Sequence, residues 1–551
     1  MKRRDFFTLN NSDSGTIIAP KQDLHPLHLT RTTAGLEPYI PSPDQPWDYT
    51  RAAHLLRRTM IGPTDKEIRQ AIQLGLNAML DRIFQPSTIS TTEIEPWCNQ
   101  EPQIRPVPSG SGIPGLSEPD FQNQILVRRE MLSRWYAKTL SVSGMNLQEK
   151  MVLFWTGILT SELDVVQVAE WMFNQQTVLR KHCLGNFKTL IEEITIDPAM
   201  LIYLDGIRNQ KTVNTTQINE NYARELMELF TCGPMDWNDS PNYTEDDVRE
   251  AARALSGWTI SGSTHANASA RPYYLGTKGN FVSFRWDAGK KTFLNETGNW
   301  KAPDIINILF QKRSVQIARF ICEKLYRAFV YDIPDRNIID QMASIFMKDW
   351  QIQPVLKTLL SSAHFFDNEN IGAMYKSPST FLIGAIRSMG ISQVPDFRFP
   401  VSSVANRDLS NRLGSLGEIL FNPPNVKGWP GGRTWVSTST VSLRQKFMLD
   451  VIDGKIMLRD NGKQTRFYIF SALDFAKSFP EIVDAEQLCM DLSMFMLNRK
   501  PTEAEFSNYL EAMLMGAKTY EWNLLDPMFK GEERIKNLLR MLVIQPMHEL
   551  H

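Results

Sequence analysis

Apolar residues recur every three or four positions through most of the chain, which is the spacing of one face of an α-helix. The first such pattern starts at Trp47. It places Ala52, Leu55, Leu56 and Met60 on one side and stops at Gly62-Pro63. Thr64, Asp65, Lys66 and Glu67 form a capping box that opens the next helix. From 119 to 183 long amphipathic runs follow, with Leu126, Leu132, Trp135 and Leu140 as an apolar seam and Arg129 and Glu130 on the charged back. Further helical windows fall at 188–193, 219–230, 245–256, 315–330, 338–347, 354–361, 375–389, 443–452, 485–496, 503–515 and 534–543. Strand-like alternation is confined to about 258–293.

The expected fold class is therefore mostly α, a multi-helix globular body with one irregular, partly β insert. Residues 1–46 read as an extended or disordered arm, 47–450 as a helical core, and 451–551 as a C-terminal helical region packed on that core. In the 245–256 helix, Thr244 is the N-cap and Glu245, Asp246 and Asp247 sit at the positive helix end. Val248, Ala251, Ala252 and Leu255 form its apolar face, and Gly257 suits the C′ position. Ser314 is the expected cap of the 315–330 helix, whose Ala318, Ile321, Leu325 and Phe329 face a core.

Composition narrows the function. Sixty Lys and Arg against 61 Asp and Glu give a net charge of -1, which argues against a nucleic-acid partner. No window holds the roughly 18 consecutive apolar residues of a membrane helix, so no membrane span is expected. Cys98, Cys183, Cys232, Cys322 and Cys489 are scattered without a C-x-x-C pair and read as buried free thiols. Lys2-Arg3-Arg4-Asp5-Phe6-Phe7 has the form of a twin-arginine export signal, but the segment after it, Thr8 to Gly15, is polar. Location is thus open between the cytoplasm and export through a divergent signal.

Familiar catalytic motifs are missing. Gly110-Ser111-Gly112-Ile113-Pro114-Gly115 matches G-x-G-x-x-G, but no strand precedes it and Pro114 stands where a helix should start, so it reads as a loop. His548-Glu549-Leu550-His551 is one residue short of a zinc-helix spacing and lies at the chain end, where fraying is expected. His54 and His364 read as core or cap histidines with one hydrogen-bond partner each.

Two polar clusters remain. In 219–230, Tyr222, Leu226 and Leu229 form an apolar face, while Asn221, Glu225 and Glu228 share the adjacent one. Glu220 to Arg224 and Arg224 to Glu228 are i,i+4 pairs, and spacing alone favours a helix carrying ion pairs over a metal or proton-sharing site. The mixed faces place this helix at the centre of the molecule. The second cluster, Phe421 to Gly432, has three Pro and three Gly and must be a turn-rich loop that holds Trp429, with Trp435 close behind. Such tryptophans suit a sugar ring or a partner surface, but plugging the core is the favoured reading.

Together these stretches resemble the bacterial "domain of unknown function 1800" family. The resemblance rests on His54-Leu55-Leu56-Arg57-Arg58 with Gly62-Pro63-Thr64, and on Leu204-Asp205 with Asn219-Glu220-Asn221-Tyr222-Ala223-Arg224-Glu225-Leu226. It also rests on Tyr243-Thr244-Glu245 through Gly257-Trp258, and on Pro423-Pro424-Asn425-Val426 with Gly428-Trp429-Pro430-Gly431-Gly432 and Trp435. It implies a helical, often exported bacterial protein of undetermined activity. Similar members carry W-H-N-H-F, where this chain has Trp155-Thr156-Gly157-Ile158-Leu159, and H-D before G-x-K-T, where it has Trp286-Asp287. The resemblance thus implies a His-based site lost here. The expected function is a non-catalytic scaffold or binding protein with a protein or glycan partner, no cofactor and no bound metal. One alternative is a hydrolase using Asp205, Glu220, Glu225, Glu228 and Asp287, with Asn219, Asn221 and Arg224 as binding residues. The other is a glycan-binding module using Trp429 and Trp435.

Overall fold

The computed structural model describes residues 32–87, 118–211, 216–260, 278–393, 408–460, 463–466 and 468–551. The paired arginines near the start, Cys98 and the Gly110–Gly115 loop lie outside them. Helices dominate, and the strands pair only as five two-stranded antiparallel ladders among the described residues.

The helical windows recur with shifts of a few residues. Tyr49–Thr59, Phe187–Thr195, Glu245–Ala254, Ser314–Phe329 and Ala485–Leu497 are all helices. Thr64 and Thr244 close the expected capping boxes. Thr244 Oγ1 accepts the Asp247 amide at 3.1 Å and Asp247 Oδ2 accepts the Thr244 amide at 2.9 Å. Asp247 Oδ1 also accepts the Leu294 amide at 2.8 Å, so the cap ties the helix to the β insert. Ser314 instead begins its helix, and the cap position is Arg313.

The insert holds the ladders Trp258–Ile260 with Gly279–Phe281 and Lys291–Phe293 with Glu296–Gly298. Strands are not confined to it. Gln210–Lys211 pairs with Thr216–Gln217, Met457–Asp460 with Lys463–Arg466, and Ser392–Gln393 with Tyr468–Ile469. These strands run two to four residues, too short for alternation to register.

One hydrophobic cluster runs from Leu36 to Val543. Residues 32–46 join it: Tyr39 packs at a tilt against Phe366 with ring centroids 4.7 Å apart, and Thr32 Oγ1 donates to Asp367. The C-terminal region is fastened to the first two helices, Tyr49–Thr59 and Asp65–Leu74. Arg69 pairs with Asp491 at 2.7 Å, Arg57 Nη2 donates to the Phe495 carbonyl, and His551 Nδ1 lies 3.1 Å from the Arg57 carbonyl. The chain end expected to fray is therefore buried, with His548, Glu549 and His551 each 5% exposed or less. Buried contacts to other elements, which sequence position does not reveal, override terminal fraying.

Of the remaining histidines, His54 Nε2 sits 3.1 Å from the Phe365 carbonyl. His364 has two partners, the Tyr326 hydroxyl at 3.0 Å and the Ala34 carbonyl at 2.9 Å. Cys183, Cys232, Cys322 and Cys489 are buried and free.

Candidate carboxylate site

The 219–230 window is not one regular helix. Asn221–Glu225 is α-helical, and Leu226–Thr231 continues it as a π-helix. Thr231 Oγ1 donates to the Leu226 carbonyl and Cys232 Sγ to the Met227 carbonyl, both five residues back. Gly233, with φ +74°, closes the end by donating to Met227 O at 2.9 Å. The π-helix buries Leu226, Met227 and Phe230 completely, each contributing about 1.5–3 kcal/mol. π segments are rare and concentrate at functional sites.

The helix lies at the edge of the core rather than the centre. One face is buried, and the other carries charge to the surface. Arg224 does not pair with Glu228. It forks onto Glu245 with bonds of 2.8 and 2.7 Å and reaches Glu220 at 3.4 Å. Hydrogen bonding to Glu245 raises the Arg224 pKa and lowers that of Glu245.

The candidate carboxylates divide into separate groups. Asp205, in the left-handed region at φ +57°, accepts from Asn221 Nδ2 at 3.2 Å and pairs with Arg208 at 3.1 Å. Asn219 is a backbone strut: its amide donates to Asn209 Oδ1, and its own Oδ1 accepts the Asn221 amide at 3.0 Å. Asp287 is buried and locked to Arg253 at 2.8 Å. Burial opposes its ionisation, but the Arg253 guanidinium and the Gly289 amide hold its carboxyl below the ordinary range.

Glu225 and Glu228 differ from these. Both are half-buried, and among the described residues neither makes a hydrogen bond or ion pair. Burial, then the neighbouring Glu228 carboxylate, push the Glu225 carboxyl up to about 7, while Arg224 and Lys427 pull it down. Burial, then Glu228, also raise the Tyr243 phenol. Tyr243 and Lys427 thus complete the constellation. Periodicity gives no signal for Lys427, which comes from a loop about 200 positions away in the chain.

That loop is firmly seated. Thr160 Oγ1 donates to Val426 O at 2.8 Å, the Leu163 amide to Phe421 O at 2.8 Å, and the Asp164 amide to Asn422 Oδ1 at 3.1 Å. Gly428 has φ +79°, and a Cβ there would overlap the Gly157 carbonyl, so only glycine permits this approach. Trp435 is buried at 7% exposure, and Trp429 is half-buried with its Nε1 enclosed and unpartnered.

A family model described as "Protein of unknown function (DUF1800)" matches residues 54–547. The chain belongs to this family. No curated protein and no solved structure matches it. The family motifs therefore converge at the carboxylates: one supplies Glu225, another Tyr243, and a third the loop bearing Lys427. The 155–160 segment seats that loop through Gly157 and Thr160. Thr156 Oγ1 donates to Val152 O at 2.8 Å and accepts from Gln176 Nε2 at 3.1 Å, and Ile158 packs against the core. The Trp286 ring lies under the Lys291 and Lys301 ammonium groups, 4.6 and 5.1 Å from its centroid. Among the described residues no group of three or more His, Cys, Asp or Glu could hold a metal ion. No described helix is long and apolar enough to cross a membrane.

Proposed function

We propose that the chain is a non-catalytic helical binding protein that has lost the family's His-based site and engages a cationic group of a protein partner at Glu225 and Glu228. The observation that supports this reading is the unpaired, half-buried Glu225 carboxyl beside Glu228. A desolvated carboxylate without a partner is costly, and an incoming ammonium or guanidinium group would relieve that cost with charge-assisted hydrogen bonds. Tyr243 and the rigid Lys427 loop border the position that group would take. The test uses fluorescently labelled Arg- and Lys-containing peptides and reads anisotropy. The wild-type chain should bind at least one, and Glu225→Gln with Glu228→Gln should weaken it tenfold or more. Equal binding by the double variant would remove the site from the reading.

A hydrolytic reading rests on the same pair. A carboxyl pushed up to about 7 beside a second carboxyl group has the form of an acid–base pair. It requires turnover of glycosidic or ester substrates with a bell-shaped pH profile, abolished by Glu225→Gln. Turnover that survives this substitution would exclude it.

A further inference from the structure

Apart from the carboxylate pair, the described structure holds a partly open cavity of about 60 Å³. Its walls come from the first helix, the Pro378–Ser388 helix, the end of the Ala485–Leu497 helix and the C-terminal segment. Its polar lining includes Arg57, Lys376, Asn498, His548 and His551, with Thr380 and Ser388 on the helix wall and Phe381 on the apolar side. Every one of these polar side chains carries a donor or can present one.

Glu549 is committed through one oxygen, and its Oε1 has no partner. Glu549 Oε2 accepts Arg444 Nη1 at 3.0 Å, and both guanidinium ends of Arg444 donate to the Lys376 carbonyl at 3.0 Å. Lys376 Nζ donates to the His548 carbonyl at 2.6 Å, which uses one of its three donors. Arg57 Nη2 donates to the Phe495 carbonyl at 2.6 Å, and Asn498 Nδ2 to the Leu550 carbonyl. His548 is 5% exposed, and its Nδ1 has no partner. Arg57, Lys376 and Arg444 are set against the carboxylates of Asp65, Glu549 and Glu418, and the buried Nδ1 of His548, a residue that lines the cavity, is unsatisfied. Burial, then the Arg57 charge, lower the Lys376 ammonium to about 7.

We propose that this cavity binds one small oxyanion of phosphate or sulfate size, held by Lys376, Arg57 and His548. The volume fits. A water needs about 10–15 Å³ on this measure, so 60 Å³ takes about four to six water-sized groups, and a tetrahedral oxyanion has five heavy atoms.

Equilibrium dialysis of the full chain with labelled inorganic phosphate tests this, with sulfate as competitor. The expected result is one phosphate per chain, displaced by sulfate. Ser388→Leu, which fills the cavity from the helix wall, and Lys376→Met should each weaken binding tenfold or more. Should Lys376→Met fail to fold, Ser388→Leu decides, because Ser388 makes none of the polar contacts above. Absence of stoichiometric phosphate on the wild-type chain, or unchanged binding by folded Ser388→Leu, would overturn the proposal.

Discussion

Replacing Glu225 by Gln keeps the side-chain shape and removes the charge. The Glu225 carboxyl stands at about 7 in the fold against an ordinary 4.5, so the folded chain holds this proton more tightly than the unfolded chain. Ionisation therefore costs stability as pH rises from about 4.5 through 7, and above that range the cost is fully present. At about 1.4 kcal/mol per tenfold, a wholly buried group would lose about 3 kcal/mol. Partial contact with water reduces this to about 1–2 kcal/mol. Glu225→Gln should thus be more stable than wild type by about 1–2 kcal/mol at pH 8.5, and the two should converge near pH 4.5. Urea denaturation at a series of pH values, followed by tryptophan fluorescence, reads the difference directly. A variant less stable than wild type at pH 8.5 would refute the reasoning, because the ionised carboxylate would then be making a favourable contact. A pH-independent gain would show that the substitution acts through packing and not charge.

Arg224→Ala should cost no more than about 1 kcal/mol in urea denaturation, because its main partner Glu245 is solvent-exposed; a loss above 3 kcal/mol would place the helix in the interior after all. Arg444→Met should cost about 3–5 kcal/mol, since Arg444 is fully buried and its removal strands the Glu549 carboxylate; an unchanged urea midpoint would show that Glu549 protonates without penalty. Thr156→His with Ile158→His and Trp286→His should gain zinc or iron by elemental analysis of untagged protein if these positions once formed a site. A folded triple variant that stays metal-free would mean that the family's His residues are structural.

Local chemistry was enough to read most of the helices. Thr64 with Glu67 and Thr244 with Asp247 cap where they should, because a capping box is a four-residue interaction that needs nothing beyond its own segment. Ala318, Ile321, Leu325 and Phe329 face the core as their spacing requires. The short ladders escaped, because a pair of two-residue strands carries no periodicity. The π-helix escaped for a related reason: its apolar spacing passes for an α-helix, and only the backbone hydrogen bonds distinguish the two.

The carboxylates themselves were visible, but their standing was not. Sequence placed Asp205, Glu220, Glu225, Glu228 and Asp287 in one pool, and the tertiary structure sorted them. Arg253, distant from Asp287 in the chain, neutralises it, and Glu245 draws Arg224 away from Glu228. Glu225 is left without a partner, with Lys427 and Tyr243 brought beside it by long-range packing. The buried C-terminal histidines follow the same rule. The sequence by itself determined most of the helices and the caps at Thr64 and Thr244, because those depend on neighbours three or four positions apart. Burial and the pairing of charges were decided only by the tertiary structure, because electrostatics depends on distance through space and on exclusion of water, and neither is written along the chain.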